Sequence, residues 1–154
     1  MNISDILSEN HILIDNNLSS KKGLLELASK VLASDSSNIT PEEIFQAFLD
    51  RETLGSTGIG HKIAIPHART DKIKHPQAVF IKLTKGVDFK SADNESVDLV
   101  LAFIVPKNDE KTHLKIIASI ATLLEKESVR EKIREIEDPK LLAQYLLNSE
   151  KTND

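Results

Sequence analysis

The sequence contains no cysteine and no tryptophan, and each absence excludes a class of protein. Without cysteine the chain has no disulfide scaffold, thiolate zinc site, iron–sulfur cluster or cysteine nucleophile. One tyrosine and five phenylalanines leave little material for an aromatic platform on which nucleic-acid bases would stack. Twenty basic residues stand against 24 acidic ones, and a net charge of -4 does not attract a phosphate backbone. We therefore expect no nucleic-acid partner.

Long hydrophobic runs are missing as well. No apolar stretch approaches the roughly 18 residues that a membrane helix needs. The segment Met1–Glu9 lacks the basic flank and apolar run of a signal peptide. These features predict a cytoplasmic protein without membrane insertion. The 154 residues contain no internal repeat and no linker, which favours one domain over residues 1–148 and a flexible tail over residues 149–154.

Five segments carry apolar residues at helical spacing after a helix-start signal. At the clearest signal, Thr40 and Glu43 form a capping box and Pro41 occupies the first helical position. The start signals in chain order are Ser19–Ser20, Thr40, Thr112, Ser128 (as a second capping box with Glu131) and Asp138.

Between these helices the pattern predicts strands. Ala78–Thr84 alternates in part, with Lys82 on its polar side, whereas Val97–Val105 is almost continuously apolar, as in a central strand covered on both faces. Shorter strands are predicted at His11–Ile14 and Ile63–Ile65. Because the order is not a regular βαβ repeat, we predict an α/β fold in which helices flank both faces of a mixed central sheet.

The segment 51–69 differs from the rest because three of the five glycines lie within six residues. Gly55 and Gly60 have the spacing of a phosphate-binding P-loop, but His61–Lys62 follow where that motif needs Lys and then Ser or Thr. The dinucleotide fingerprint fails because Ile63 stands where its third glycine is required. We therefore expect neither an ATP site nor a NAD site, and no cofactor.

A histidine follows the short strand in this segment. Pro66 fixes one backbone dihedral angle and helps to end the strand, so rigid backbone holds His67 at a strand end. A neutral imidazole is a nucleophile near pH 7, and its bond to a phosphoryl group is labile enough for a relay. Arg51 and Arg69 are candidate cations for the phosphoryl charge. His113, at a predicted helix start, is a candidate donor to a phosphoryl oxygen or a residue that orients the first histidine.

The histidines also allow two other interpretations, a zinc site and a purely structural role. A zinc site would draw on His61, His67, His75 and His113, but no two of them are spaced as a pair on one helix, so we expect no metal. A purely structural histidine remains the alternative at each position. His11 and His75 are expected at the surface.

The glycine-rich loop is also a candidate surface for a protein partner. Ile59 and Ile65 would supply an apolar rim beside the histidine, and His61–Lys62 would form a solvated loop tip. The candidate contacts are Gly58, Ile59, Gly60 and Arg69.

The segment Ala64–Ala68 resembles part of a known active-site signature. Ile59–Gly60, and Glu52 seven residues before Ile59, match the rest of that signature. It is that of the IIA domains of the fructose–mannitol class in the phosphoenolpyruvate-dependent phosphotransferase system. The similarity covers nearly the whole chain, and loop 55–60 is most similar to the nitrogen-regulatory branch. One departure is His61–Lys62, where relatives often carry Asn-Gly, which tolerates positive φ more readily.

The resemblance implies a fold, an acceptor and a donor. It implies that His67 accepts a phosphoryl group through its Nε2 atom, that Arg51 and His113 line the site, and that the sheet is mixed. The donor would be the histidine-containing phosphocarrier protein (HPr) or its nitrogen-branch paralogue, charged by enzyme I from phosphoenolpyruvate. The chain would then be a phosphotransferase component rather than a turnover enzyme by itself.

Three functions follow from these considerations. Phosphorylation would act as a metabolic switch that changes the binding of regulatory protein targets, or the group would pass to a IIB domain and drive fructose or mannitol uptake. We favour the switch, because the sequence carries no fused IIB, IIC or donor domain. The third hypothesis is a protein-binding module that has lost phosphotransfer; the presence of Pro66, His67 and His113 argues against it.

Overall fold

A six-stranded mixed sheet organises the residues that the computed structural model describes, 2–15 and 17–149. Two short 3-10 turns, Ile3–Asp5 and Glu9–His11, precede the first strand. In chain order the elements are β1 (Ile12–Asp15), α1 (Lys21–Ala33), α2 (Pro41–Glu52), β2 (Gly58–Gly60), β3 (Ile63–Ala64), β4 (His67–Thr70), β5 (Gln77–Val87), β6 (Val97–Pro106), α3 (Glu110–Glu125), α4 (Glu127–Glu135) and α5 (Pro139–Ser149). Of the predicted tail, Ser149 ends α5, and residues 150–154 lie outside the described residues.

The strand order is β1-β5-β6-β3-β2, and β4 pairs with β6 beyond β3. β5 and β6 are antiparallel, as are β2 and β3, while β1 is parallel to β5, and both β3 and β4 are parallel to β6. The predicted mixed sheet is therefore confirmed. β6 is apolar along almost its whole length because it has neighbours on both edges and helices on both faces.

Two hydrophobic cores lie on opposite faces of this sheet, since successive strand residues point to opposite sides. Phe80 and Phe103 pack on one face with residues of α3, α4 and α5. Val79 and Ile81 pack on the other face with residues of α1 and α2. All four side chains are fully buried. The helices thus flank both faces, as the alternation and the near-continuous apolar strand had predicted.

Lys82 departs from the predicted pattern. It lies on the polar side of β5, yet it is only 8% exposed. Its Nζ donates to the carbonyl oxygens of Arg134, at 2.8 Å, and Ile136, at 2.5 Å. The ammonium thereby satisfies carbonyls at the end of α4 that have no partner within the helix.

Three of the five predicted helix starts are confirmed. The Ser20 hydroxyl accepts from the Gly23 amide at 3.0 Å. The Thr40 capping box is complete, because Thr40 Oγ1 accepts from the Glu43 amide and Glu43 Oε1 accepts from the Thr40 amide. Asp138 accepts from the Lys140 amide at 2.9 Å directly before α5.

The other two starts were wrong in detail. α3 begins at Glu110, two residues before Thr112, because Asp109 is the capping residue and accepts from the Thr112 amide. The predicted capping box at Ser128 is absent, since α4 begins at Glu127 without a side-chain cap. There the buried Arg130 guanidinium donates to two carbonyls at the end of α3, those of Leu124 and Glu125.

Two histidines outside the glycine-rich segment were predicted at the surface. His75 is exposed, as predicted. His11 is only 5% exposed, so that prediction was wrong. Its Nδ1 lies 3.0 Å from the Ala78 carbonyl oxygen and its Nε2 lies 2.6 Å from a carboxylate oxygen of Asp35, so these two contacts account for its burial. Among the described residues no helix combines the length and apolarity needed to cross a bilayer.

Candidate functional site

The candidate nucleophile opens a strand. β3 and β4 both pair in parallel with β6, and Ile65–Pro66 separates them. Pro66 has no N–H, but its carbonyl oxygen still accepts from the Phe103 amide at 3.0 Å. His67 was predicted at a strand end; instead it is the first residue of β4, directly opposite Phe103. The interruption leaves its half-buried side chain at the edge of an open cavity.

Two hydrogen bonds determine which ring nitrogen of His67 carries the proton. Nδ1 lies 2.7 Å from the carbonyl oxygen of Ile65, which can only accept, so Nδ1 is the protonated atom. Arg51 Nε, which can only donate, lies 3.2 Å from Nε2. The neutral tautomer therefore has its lone pair on Nε2, the atom that the family resemblance implies.

Two aromatic rings fix the plane of the His67 imidazole. Phe103 stacks on it with ring centroids 5.4 Å apart and planes 13° apart. His113 meets it edge-on, with centroids 4.9 Å apart and planes at 74°. The structure therefore brings the His113 ring into contact with the His67 ring. Buried His113 Nδ1 has no hydrogen-bond partner among the described residues.

The two candidate arginines differ in the partners that their guanidinium groups contact. Arg51, near the C-terminus of α2, donates through Nε to His67 and through Nη1 to the Gly55 carbonyl oxygen at 2.9 Å. Arg69 is exposed and forms an ion pair with Glu110 at 3.0 Å. Arg51 thus contacts the Nε2 atom of the candidate nucleophile directly, while Arg69 is held toward the first turn of α3.

An open cavity of about 620 Å³ brings these side chains together. Lys107 and Asn108, which sequence reasoning missed, line it as well; their signal was the position directly after a buried strand and before a helix start. The remaining lining residues are Ala47, Asp50, Arg51, Leu54, His67, Ala68, Arg69 and His113. Among the described residues no cluster of three His, Asp or Glu side chains is arranged to hold a metal ion.

Burial is the main influence on the ionisation of both histidines. Desolvation lowers the pKa of His67 below its ordinary value; the bond to the Ile65 carbonyl opposes this shift, and the Arg51 charge adds to it. Desolvation also lowers the pKa of His113, and the neighbouring His67, Arg69 and Arg51 act in the same direction. Both rings are therefore neutral at pH 7, as a nucleophile and its neighbour need to be.

This shift makes a prediction about pH. In an NMR titration of ring proton shifts, we expect His67 to protonate at a lower pH than a histidine in a flexible peptide, whose pKa is about 6.5. The lone pair on Nε2 is then available at neutral pH and is lost only as the pH falls through the lowered pKa. A His67 pKa at or above the peptide value would contradict the prediction.

The turn between β2 and β3 adopts an unusual backbone at its tip. His61 and Lys62 have φ of 55° and 64°, as a two-residue turn between antiparallel strands requires. Arg134 Nη2 donates to the His61 carbonyl oxygen at 2.9 Å, which helps to hold this strained pair. Both side chains are exposed, as predicted.

The apolar rim differs from the prediction. Ile59 is 49% exposed and free to contact a partner, whereas Ile65 is 3% exposed and belongs to the core. Leu54, 82% exposed, lines the cavity instead, and Leu114, 66% exposed, follows His113. Sequence reasoning missed these two because each is isolated among polar neighbours.

Gly58 leaves no room for a side chain. A Cβ at this position would overlap the Ser91 hydroxyl and lie 2.8 Å from Ser91 Cβ. We expect Gly58→Ala to lower the free energy of unfolding by about 1–3 kcal/mol, as overpacking does, measured by urea denaturation. In a Ser91→Gly background the same substitution should cost under about 0.5 kcal/mol; an equal cost in both backgrounds would exclude this clash as the cause.

Comparisons with known proteins show which family and which solved structures this chain is similar to. A family model described as "Phosphoenolpyruvate-dependent sugar phosphotransferase system, EIIA 2" matches residues 5–149. The "Nitrogen regulatory protein" of Escherichia coli (strain K12) is 36% identical over 136 residues, which cover 88% of this chain and 83% of the relative. The crystal structure of Nitrogen Regulatory Protein IIA-Ntr from Neisseria meningitidis superposes with a TM-score of 0.87 at 33% identity and covers 94% and 98% of the two chains. The Escherichia coli complex of enzyme IIAMTL and phosphorylated enzyme IIBMTL matches with a TM-score of 0.75 at 27% identity and covers 94% and 99%.

Proposed function

This chain belongs to the EIIA 2 family of the phosphoenolpyruvate-dependent sugar phosphotransferase system, and from this premise we propose that His67 accepts a phosphoryl group from a histidine phosphocarrier protein. The phosphorylated and free forms then bind regulatory targets differently. The observation that carries the proposal is the His67 ring at the edge of an open cavity, with its lone pair placed on Nε2 because Nδ1 donates to the Ile65 carbonyl oxygen.

The transfer needs no cofactor or metal. The Nε2 lone pair attacks the phosphorus of the donor's phosphohistidine in line, the N–P bond of the donor breaks, and its electron pair returns to the donor imidazole. The proton on His67 Nδ1 stays in place. Because the Ile65 carbonyl oxygen accepts from Nδ1, it stabilises the positive charge that develops on the ring.

Arg51 has two roles in this step. Before transfer its Nε–H occupies the Nε2 lone pair at 3.2 Å, so the guanidinium must turn aside as the donor docks. Its N–H groups then face the phosphoryl oxygens and neutralise their charge. His113, edge-on to His67, is placed to support the phosphoryl group from the start of α3.

The regulatory outcome follows from charge. A phosphoryl group adds about two negative charges to a cavity rimmed by Arg51, Arg69 and Lys107. Exposed Leu54 lines this cavity, so a partner that contacts it experiences both an altered charge and altered cation positions. The 36% identity to a nitrogen regulatory protein supports the switch over transport.

The direct test is intact-mass analysis after incubation with phosphoenolpyruvate, enzyme I and each of the two carrier proteins. We expect one acid-labile phosphoryl group on the wild-type chain. No labelling by either carrier would overturn the proposal and favour the protein-binding module that has lost phosphotransfer.

A second candidate function is supported by one comparison. The mannitol IIA relative has been solved in complex with its phosphorylated IIB partner. If this chain passes its phosphoryl group onward, a fructose- or mannitol-type IIB domain would be the acceptor. Rapid transfer from the labelled chain to such a domain would favour the transport role over the switch.

A further inference from the structure

A buried carboxylate lies behind the candidate nucleophile. Glu52 follows Arg51 in α2, but its side chain points inward and is only 6% exposed. It accepts from the Thr57 hydroxyl at 2.6 Å and from the Thr57 amide at 3.2 Å. Lys21, the first residue of α1, places its Nζ 3.3 Å from the same carboxylate. Three donors therefore converge on one anion.

Thr57 connects Glu52 to the candidate nucleophile through a series of hydrogen bonds. Thr57 is 4% exposed, and its carbonyl oxygen accepts from the Ile65 amide at 2.9 Å. The Ile65 carbonyl oxygen in turn accepts from His67 Nδ1 at 2.7 Å. A continuous series of hydrogen bonds thus runs from Glu52 through Thr57 and Ile65 to the imidazole.

A second anchor holds the same loop. Lys21 Nζ also lies 4.7 Å from the centre of the Phe89 ring, and the Phe89 carbonyl oxygen accepts from the Ser56 hydroxyl at 2.6 Å. Phe89 is fully buried. Residues 56 and 57 are therefore tied both to α2 and to the segment before β6, which leaves Ile65 little freedom to move away from His67.

We propose that Glu52 and Thr57 are positioning residues for the phosphoryl acceptor: they hold the Ile65 carbonyl oxygen where it keeps the proton on His67 Nδ1 and the lone pair on Nε2. This rests on the proposed function for its effect on transfer, but its effect on the tautomer is independent of any partner. The reason is physical, since a histidine with its proton on Nε2 has no nucleophilic lone pair at that atom.

Four substitutions test the proposal. Glu52→Gln removes the charge that pairs with Lys21 and presents an amide group to the donors of Thr57. Thr57→Val removes only the hydroxyl and keeps the shape, while Thr57→Ser restores the hydroxyl. Thr53→Val is the matched control, because the Thr53 hydroxyl donates to the exposed end of α2, at the Asp50 carbonyl oxygen, and lies off this series.

The first readout is the protonation of the two ring nitrogens of His67, measured by long-range ¹H–¹⁵N correlation above the His67 pKa. In the wild-type chain and in Thr53→Val we expect a protonated Nδ1 and an unprotonated Nε2. In Thr57→Val the ratio of the two tautomers should fall about fivefold, the contribution of one net hydrogen bond. Glu52→Gln should shift it at least as far, and Thr57→Ser should match the wild type.

The second readout is the single-turnover rate of phosphorylation by the carrier. We expect Thr57→Val and Glu52→Gln to be slower at saturating carrier, Thr57→Val by up to about fivefold, because a fivefold fall in the tautomer ratio lowers the population with a free Nε2 lone pair by at most that factor. The carrier concentration for half-maximal rate should change little. A folded Thr57→Val with the wild-type tautomer ratio overturns the proposal, and so does an altered ratio with an unchanged rate. If Glu52→Gln fails to fold, the Thr57 pair decides. If no carrier phosphorylates the wild-type chain but the substitutions still shift the tautomer ratio, the positioning role is supported and only the proposed function is refuted.

Discussion

His67→Gln should lower the rate of phosphoryl acceptance by at least about 10⁴-fold, because an amide nitrogen has no available lone pair to attack phosphorus. In the wild-type chain that lone pair is on Nε2, since Nδ1 donates to the Ile65 carbonyl oxygen at 2.7 Å. The substitution also removes the stacked contact with Phe103. That contact contributes about 1 kcal/mol, so the variant should remain folded. Intact mass after incubation with the charged carrier measures the loss.

Other histidines serve as controls for this result. His61→Gln and His75→Gln change exposed side chains outside the cavity and should be labelled at the wild-type rate. His113→Gln should still accept the group, about 10- to 100-fold more slowly, because it removes a neighbour of the acceptor but not the nucleophile. An acid-labile phosphoryl group on His67→Gln would place the acceptor elsewhere and refute the mechanism.

Arg51→Met should slow the single-turnover transfer by roughly 3- to 150-fold, the net of two effects. Two effects of the arginine oppose each other. Its donation to Nε2 shields the lone pair, and breaking this hydrogen bond costs about 1–2 kcal/mol. A preorganised donor to the phosphoryl oxygens stabilises the transition state by about 2.7–4 kcal/mol, so the loss of Arg51 is a net loss. Arg51→Lys should restore part of the rate, because the charge remains without the planar fork.

The same variant should change the titration of His67. The Arg51 charge lowers the pKa of His67, so Arg51→Met should raise that pKa toward its ordinary value, with burial still holding it below. Arg69→Met is the matched control. Because Arg69 is exposed and paired with Glu110, its loss should slow transfer less than about tenfold. If Arg69→Met were the slower variant, the cation that serves the phosphoryl group would be Arg69.

Helices and strands were predicted correctly where their signals come from residues close together in the sequence. The Thr40–Glu43 capping box and the ten-residue apolar strand Val97–Pro106 are set by short-range spacing, and the structure confirms both. The start of α3 was misplaced because Asp109, three residues before Thr112, is the capping residue, and the start of α4 was misplaced because no side chain caps it. Arg130 reaches back from within α4 to two carbonyls of α3. The contact from Arg130 crosses from one helix to the preceding one, so the spacing within neither helix indicates it.

Burial of polar residues was the least predictable feature. His11 was expected at the surface, where isolated polar side chains usually lie, and Lys82 was placed on the polar side of its strand. Both are buried because tertiary contacts supply partners: the carbonyls at the end of α4 for Lys82, and Ala78 with Asp35 for His11. Ile65 was expected at a rim and is in the core, since its strand neighbour β6 is covered on both faces.

The sequence by itself determined the α/β class, the central strand, and His67 as the candidate acceptor. Each of these depends on a pattern of neighbouring residues: helical or continuous apolar spacing for the elements, and the segment around Pro66 for the histidine. Only the tertiary structure decided how the site is built. It places the Arg51 guanidinium on Nε2, sets His113 edge-on to the ring, and connects Glu52 to the imidazole through Thr57 and Ile65. These contacts join α2, the loop before β2, β4 and α3, and their distances depend on how the two cores pack the helices against the sheet. No local spacing encodes a distance between segments that meet only in the folded chain.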